Sequence, residues 1–218
     1  MQFAMEALVE AFEEESKIDC EIILSSSGKL TAQIKEGAPY DVLVSANMKF
    51  PNSLFDQGLT YDKSAIYAFG KLVLWSTMEN FKPSLQKLTD PKIKHIALAN
   101  PKTAPYGEAA IELLQKLNLF EKVKDKLVYG ENISQTNQFI TSQAAEVGFT
   151  AKSVILSPRL KGKGTWIEID DNLHQPIAQG IVILKNRPSQ IEKAKQFHTF
   201  IFSKKGKNIL KEYGYAVN

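Results

Sequence analysis

A single cysteine and three histidines in 218 residues leave few of the side chains that most metal and nucleophilic chemistry needs. Cys20 has no partner for an intramolecular disulfide or a paired thiolate site, and in the apolar run "CEIIL" it reads as a small buried hydrophobe. His95, His174 and His198 are scattered through the chain without partner motifs and read as packing or surface residues. No GxSxG, HExxH, paired CxxC or P-loop occurs, which argues against an enzyme and against a resident cofactor. No apolar run approaches the ~18 residues of a membrane span, and no signal peptide stands at Met1. Charge of one sign is also lacking. Twenty-seven basic residues against twenty-four acidic ones give +3, too little and too evenly spread for a nucleic-acid or membrane surface, although mildly favourable to a small anion. Only Arg159 and Arg187 could pair a carboxylate in bidentate fashion, which disfavours an organic-acid ligand.

What is present is an apolar content of 44%, enough for one ordinary domain or two small lobes with separate cores. Ala4, Ala7, Leu8, Ala11 and Phe12 keep the spacing of an amphipathic helix, with no capping residue before it. Beyond it, β-rich runs alternate with helical patterns: "CEIILS" with "KLTAQIKEG", "DVLVSA" with a helix near 48–57, "KHIALAN" with 107–119, and "KLVYG" with 133–145. That alternation predicts an α/β fold with largely parallel strands flanked by helices. The runs "YAFGKLVLW" and "PIAQGIVIL" enclose about a hundred residues that read as a complete βα set, so two lobes joined by two crossing strands are expected. Residues 1–69 with 182–218 form the first and residues 70–181 the second, with Gly70 and Gly180 where the chain would cross as a hinge, although a plain strand bulge explains either glycine as well. Ser189 is a candidate cap for the helix "QIEKAKQFHTFIF", and Gly214 a stop for the last one.

Three strand-to-helix junctions share a chemical form: "SSSGK" (25–29), "PKTAPYG" (101–107) and "ENISQ" (131–135). Each pairs the free N–H groups of a helix start with neutral hydroxyl or amide side chains and with no basic cluster. Three such ends converging would hold a dianion. Taken singly, Ser25, Ser26, Ser27 and Asn132 read as ordinary caps and turn residues, and Tyr106 as a ring packed beside Pro105.

The blocks "SSSGKLTAQIKEGAPYDVLVSAN", "FGKLVLWS", "NPKTAPYGEAA", "LVYGENISQTNQF" and "ILKEYGY" run in order along almost the whole chain. They resemble the periplasmic molybdate-binding proteins, the substrate-capturing components of molybdate ABC importers. The resemblance implies a two-lobed, type II periplasmic-binding-protein fold with mixed, mainly parallel sheets, closing over a tetrahedral oxyanion, molybdate or tungstate. It implies a monomer outside the cytoplasmic membrane that meets a membrane permease and no nucleic acid. It places oxyanion ligands at Ser27, through hydroxyl and amide, at Tyr106, through amide and phenol, and at Ile133, through the main chain, with Ser26 and Asn132 beside them. These residues bind the oxygens of the anion and not a bare metal. A further tyrosine frequent in the family falls on Ala151 in "VGFTA", so that hydroxyl is absent. The family's first strand, which ends in a Ser, Thr or Asn ligand before the opening helix, is also expected to be missing. The alternatives are a binding protein for another oxyanion, such as sulfate, and the ligand-sensing domain of a regulator. The latter would carry a helix-turn-helix, which the sequence does not show.

Overall fold

The computed structural model describes residues 2–217. The chain forms two compact units, the first from residues 1–70 and 178–218 and the second from Lys71–Ile177. In the first unit lie α1 (Gln2–Ser16), α2 (Ser27–Lys35), β1 (Val42–Ser45), α3 (Lys49–Asp56) and β2 (Ala65–Gly70). The second unit contains β3 (Leu72–Ser76), β4 (Ile96–Ala99), α4 (Pro105–Lys116), α5 (Phe120–Val123), β5 (Leu127–Gly130), α6 (Ile133–Thr141), β6 (Val147–Ala151), α7 (Lys152–Ile155) and β7 (Thr165–Glu168). The chain then enters β8 (Ile177–Ile183), which belongs to the first unit from Ala178 on, and ends with α8 (Ile191–Phe202) and α9 (Lys204–Glu212).

The sheet of the first unit has the order β1-β8-β2, with β1 antiparallel to β8 and Ser45 opposite Gly180. Successive side chains of a strand face opposite sides, and β8 uses both. Ile181 joins the core of Leu8, Phe12, Phe197, Phe200 and Leu210 beneath α1, α8 and α9. Val182 joins Ile34, Leu43 and Leu54 beneath α2 and α3. Phe12 meets Phe197 edge-on with ring centroids 5.3 Å apart, a geometry in which the positive edge of one ring faces the negative face of the other.

In the second unit the order is β5-β4-β6-β3-β7. The parallel pairing is confined to β5, β4 and β6, while β3 runs antiparallel to β6 and β7. The parallel trio matters for the site, because its three carboxyl ends fall on one edge, and each strand there leads toward a helix: β4 to α4, β5 to α6 and β6 to α7. Ile140 of α6 fastens that helix to Val73, Trp75 and Ala97.

Several elements differ from the sequence expectation. The run "CEIILS" forms no ladder among the described residues. Ile18, Cys20 and Ile22 are half-buried against the first unit's core, while Asp19, Glu21 and Ile23 are exposed. The two-residue period thus survives, because packing on a core sets it, whereas a ladder needs a neighbouring strand edge. β7 is a strand that the apolar pattern did not reveal, because Trp166 and its neighbours are largely exposed. Ser189 does not cap α8: a 3-10 turn over Pro188–Gln190 carries the chain into that helix, and Gln190 occupies the cap position without a side-chain bond. Gly214, at φ 77°, does follow the end of α9.

Gly107 shows how tightly α4 is set against the sheet. A Cβ there would lie 1.9 Å from the carbonyl oxygen of Ala99 at the end of β4. That neighbour is backbone and cannot turn aside, so Gly107→Ala should cost about 3 kcal/mol or more through overpacking. Gly37→Ala, at φ 90° in open space, should cost about 1–2 kcal/mol from backbone strain alone. Thermal unfolding of the two variants side by side checks this, with the larger loss expected for Gly107→Ala.

Candidate functional site

The first unit contributes the start of α2. Ser26 is its N-cap, with extended backbone angles and an Oγ that accepts from the Lys29 amide at 3.3 Å. Ser27 is the first helical residue and is buried. Its Oγ accepts from the Ala46 amide at 3.2 Å, and its carbonyl accepts from Thr31 Oγ1 at 2.8 Å. Ala46 follows directly on β1, so this hydrogen bond ties the helix start to the strand end. A serine hydroxyl has one proton and two lone pairs. The Ala46 amide takes one of those lone pairs, and the proton of Ser27 is available to another acceptor. Ser45, fully buried, accepts from the Asn47 amide at 3.3 Å and holds the same turn from beneath.

The second unit contributes two helix starts on the carboxyl edge of its parallel strands. The Asn100 amide donates to the Gly130 carbonyl at 2.7 Å, so the loops that leave β4 and β5 are joined at their base. The first loop then winds tightly, with the amides of Thr103 and Ala104 on the Asn100 carbonyl and that of Lys102 on Asn100 Oδ1. Ala104 stands at the cap of α4 in extended conformation and supplies no side-chain bond. Pro105 is the first helical residue, where its missing N–H costs nothing and its fixed φ already suits the helix. Tyr106 follows, 3% exposed, and Gly107 lets this whole turn sit on β4. α6 begins at Ile133 behind Asn132, whose Oδ1 accepts from the Gln135 amide at 3.0 Å. The Gln135 side chain reaches back past the cap, its Oε1 accepting from the Glu131 amide. Neither bond uses the Ile133 amide, which is among those without a carbonyl one turn back.

The structure therefore groups Ser26 and Ser27 at one helix start in the first unit, and Tyr106, Asn132 and Ile133 along one sheet edge in the second. Ser26 Oγ and Asn132 Oδ1 act as caps, so their acceptor atoms are committed to the backbone. Ala151, fully buried, ends β6 on that same edge and brings no hydroxyl. Two features were not singled out from sequence. One is the Ala46–Asn47 turn, whose importance lies in main-chain atoms that any residue would supply. The other is Gln179, 0% exposed in β8, whose Nε2 donates to the Ala46 carbonyl at 3.1 Å. A lone amide inside the apolar run "PIAQGIVIL" was the available signal.

α2, α4 and α6 present partial positive charge from their free amides. The acidic residues nearest the second unit's helix starts, Glu108 and Glu131, are exposed. The histidines take no part: His95 is exposed beside Glu146, His174 has Nδ1 2.7 Å from the Gln175 carbonyl oxygen, and burial against Phe202 holds His198 below its ordinary value. Among the described residues no group of three or more His, Cys, Asp and Glu could hold a metal ion, and no helix is long and apolar enough to cross a membrane.

Comparison with known proteins places this arrangement. Residues 1–216 match the bacterial extracellular solute-binding protein family. The molybdate-binding protein ModA of Rhodobacter capsulatus is 36% identical over 87% of this chain and 74% of its own. ModA of Azotobacter vinelandii is 38% identical over 88% of this chain and 76% of its own. The solved structure of the Azotobacter vinelandii periplasmic molybdate-binding protein superposes with a TM-score of 0.92 at 33% identity, covering 99% of this chain and 94% of that one. The chain belongs to the bacterial extracellular solute-binding protein family, alongside the ModA proteins.

Proposed function

We propose that the protein captures molybdate, and tungstate with it, and delivers the anion to the permease of an ABC importer. The observation that carries this reading is Ser27: a buried hydroxyl at a helix start that already accepts from the Ala46 amide. Such a group has its proton to offer, with one of its two lone pairs already used. Tyr106 and the Ile133 amide are the corresponding donors in the second unit. All of these are neutral, and the anion's charge is balanced by helix dipoles and hydrogen bonds, not by a cationic side chain. The protein acts as a monomer outside the cytoplasmic membrane. It carries no resident cofactor and performs no chemistry on its ligand.

The donor set also defines what is refused. Molybdate near neutral pH is a dianion that only accepts hydrogen bonds, whereas phosphate retains at least one proton that needs an acceptor. Facing amides and hydroxyls, that proton would be left unpaired at a cost of about 1–3 kcal/mol. Competition calorimetry at neutral pH should rank phosphate at least about tenfold weaker than molybdate. Equal affinities would exclude a site built only of donors.

Ser27→Ala removes one charge-assisted bond and should weaken molybdate binding by about 10- to 100-fold while the fold survives. Unchanged affinity in a folded variant would remove Ser27 from the ligands. Tyr106→Phe keeps ring and backbone and should lower affinity, whereas Tyr129→Phe, at a residue 48% exposed, should not. Titration calorimetry on both variants reads the difference, and equal effects would place the phenol outside the site.

A further inference from the structure

In the antiparallel register of β1 and β8, Ser45 faces Gly180, so the next pair along the ladder would be Ala46 with Gln179. The main-chain ladder stops at Ser45, and the Gln179 side chain continues it. Its Nε2 donates to the Ala46 carbonyl. On the opposite side of the same residue, the Ala46 amide donates to Ser27 Oγ. A continuous chain of contacts therefore runs from Gln179 through the Ala46 backbone to the Ser27 hydroxyl.

Gly180 keeps this turn from shifting. A Cβ there would lie 2.8 Å from Met48 Sδ, 2.9 Å from Pro51 Cγ and 3.1 Å from the Asn47 carbonyl oxygen, so the segment after Ala46 rests directly on the β8 backbone. The turn is pressed onto Gly180 and pinned by its neighbour Gln179. Burying a side-chain amide in an apolar strand is costly unless its hydrogen bonds are made, and a structural role alone could be filled by an apolar residue.

We propose that Gln179 is a positioning residue for anion capture: by holding the Ala46 carbonyl it fixes the amide that donates to Ser27, and so orients the Ser27 hydroxyl toward the ligand. The inference rests on the reading of Ser27 as an oxyanion donor. Its distinctive consequence is that Gln179 acts on affinity only through Ser27.

The test is a double-mutant cycle read by titration with molybdate, using Gln179→Met, which keeps length and removes the amide, Ser27→Ala, and the pair combined. Gln179→Met should weaken binding about tenfold when Ser27 is present, and by less than about twofold in the Ser27→Ala background. Equal weakening in both backgrounds would show that Gln179 acts on the fold at large and overturn the proposal. No weakening by Gln179→Met, with Ser27→Ala still impaired, would overturn the positioning role and leave the oxyanion site standing. No effect of Ser27→Ala would overturn both. Should Gln179→Met not fold, the unaltered protein answers by NMR. The Gln179 side-chain amide protons should exchange slowly and shift when molybdate is added, and exchange at the rate of a free amide would overturn the proposal.

Discussion

A buried hydroxyl that already accepts a hydrogen bond from one side turns its proton away from that donor, toward another acceptor. Ser27 is in that position because the Ala46 amide lies 3.2 Å from its oxygen, and much of the first unit serves to keep it there. β1 must end at Ser45, α2 must begin at Ser27, and the turn that follows β1 must be held by Ser45 and Gln179. The core of Ile34, Leu43, Leu54 and Val182 fixes helix and strands in that relation. Packing of side chains remote from the ligand thus becomes direction for a single O–H bond.

In the second unit the amides of two helix starts rise at the carboxyl edge of parallel strands, the place where ligands bind in sheets of this kind, and under the proposed reading they and Tyr106 are its donors. Gly107 brings α4 down onto β4, and Asn132 caps the Gln135 amide of α6 while the Gln135 side chain holds the Glu131 amide before it. Donors held in this way by rigid elements lose little entropy when a ligand arrives. No cation is required in such a site. That fits the sequence, in which basic and acidic residues nearly balance.

Much of this was legible in the sequence because it is written in local patterns. The junctions "SSSGK", "APYG" and "ENISQ" announce helix starts through capping residues, proline and glycine, and all three begin helices in the structure. What stayed hidden depends on contacts between distant residues. The Ser27–Ala46 bond joins positions nineteen apart, and the Gln179–Ala46 bond joins positions 133 apart. Neither leaves a spacing to read. The failed strand at "CEIILS" has the same cause from the other side, since its residues alternate as a strand should while the ladder depends on a neighbour that no local pattern specifies. Ser189 looked like a cap because of its type, but the proline before it starts a 3-10 turn that moves the helix start to Ile191.

The central claim is that a dianion is held entirely by neutral donors. Proton linkage tests it most directly: molybdate is titrated calorimetrically at a fixed pH slightly above neutral in two buffers of very different ionisation enthalpy. Amides, a serine hydroxyl and a phenol that keeps its proton do not change protonation on binding, so the measured enthalpy should be the same in both buffers, with no net proton taken up or released. A difference corresponding to about one proton per anion would place a titrating group in the site and contradict the account.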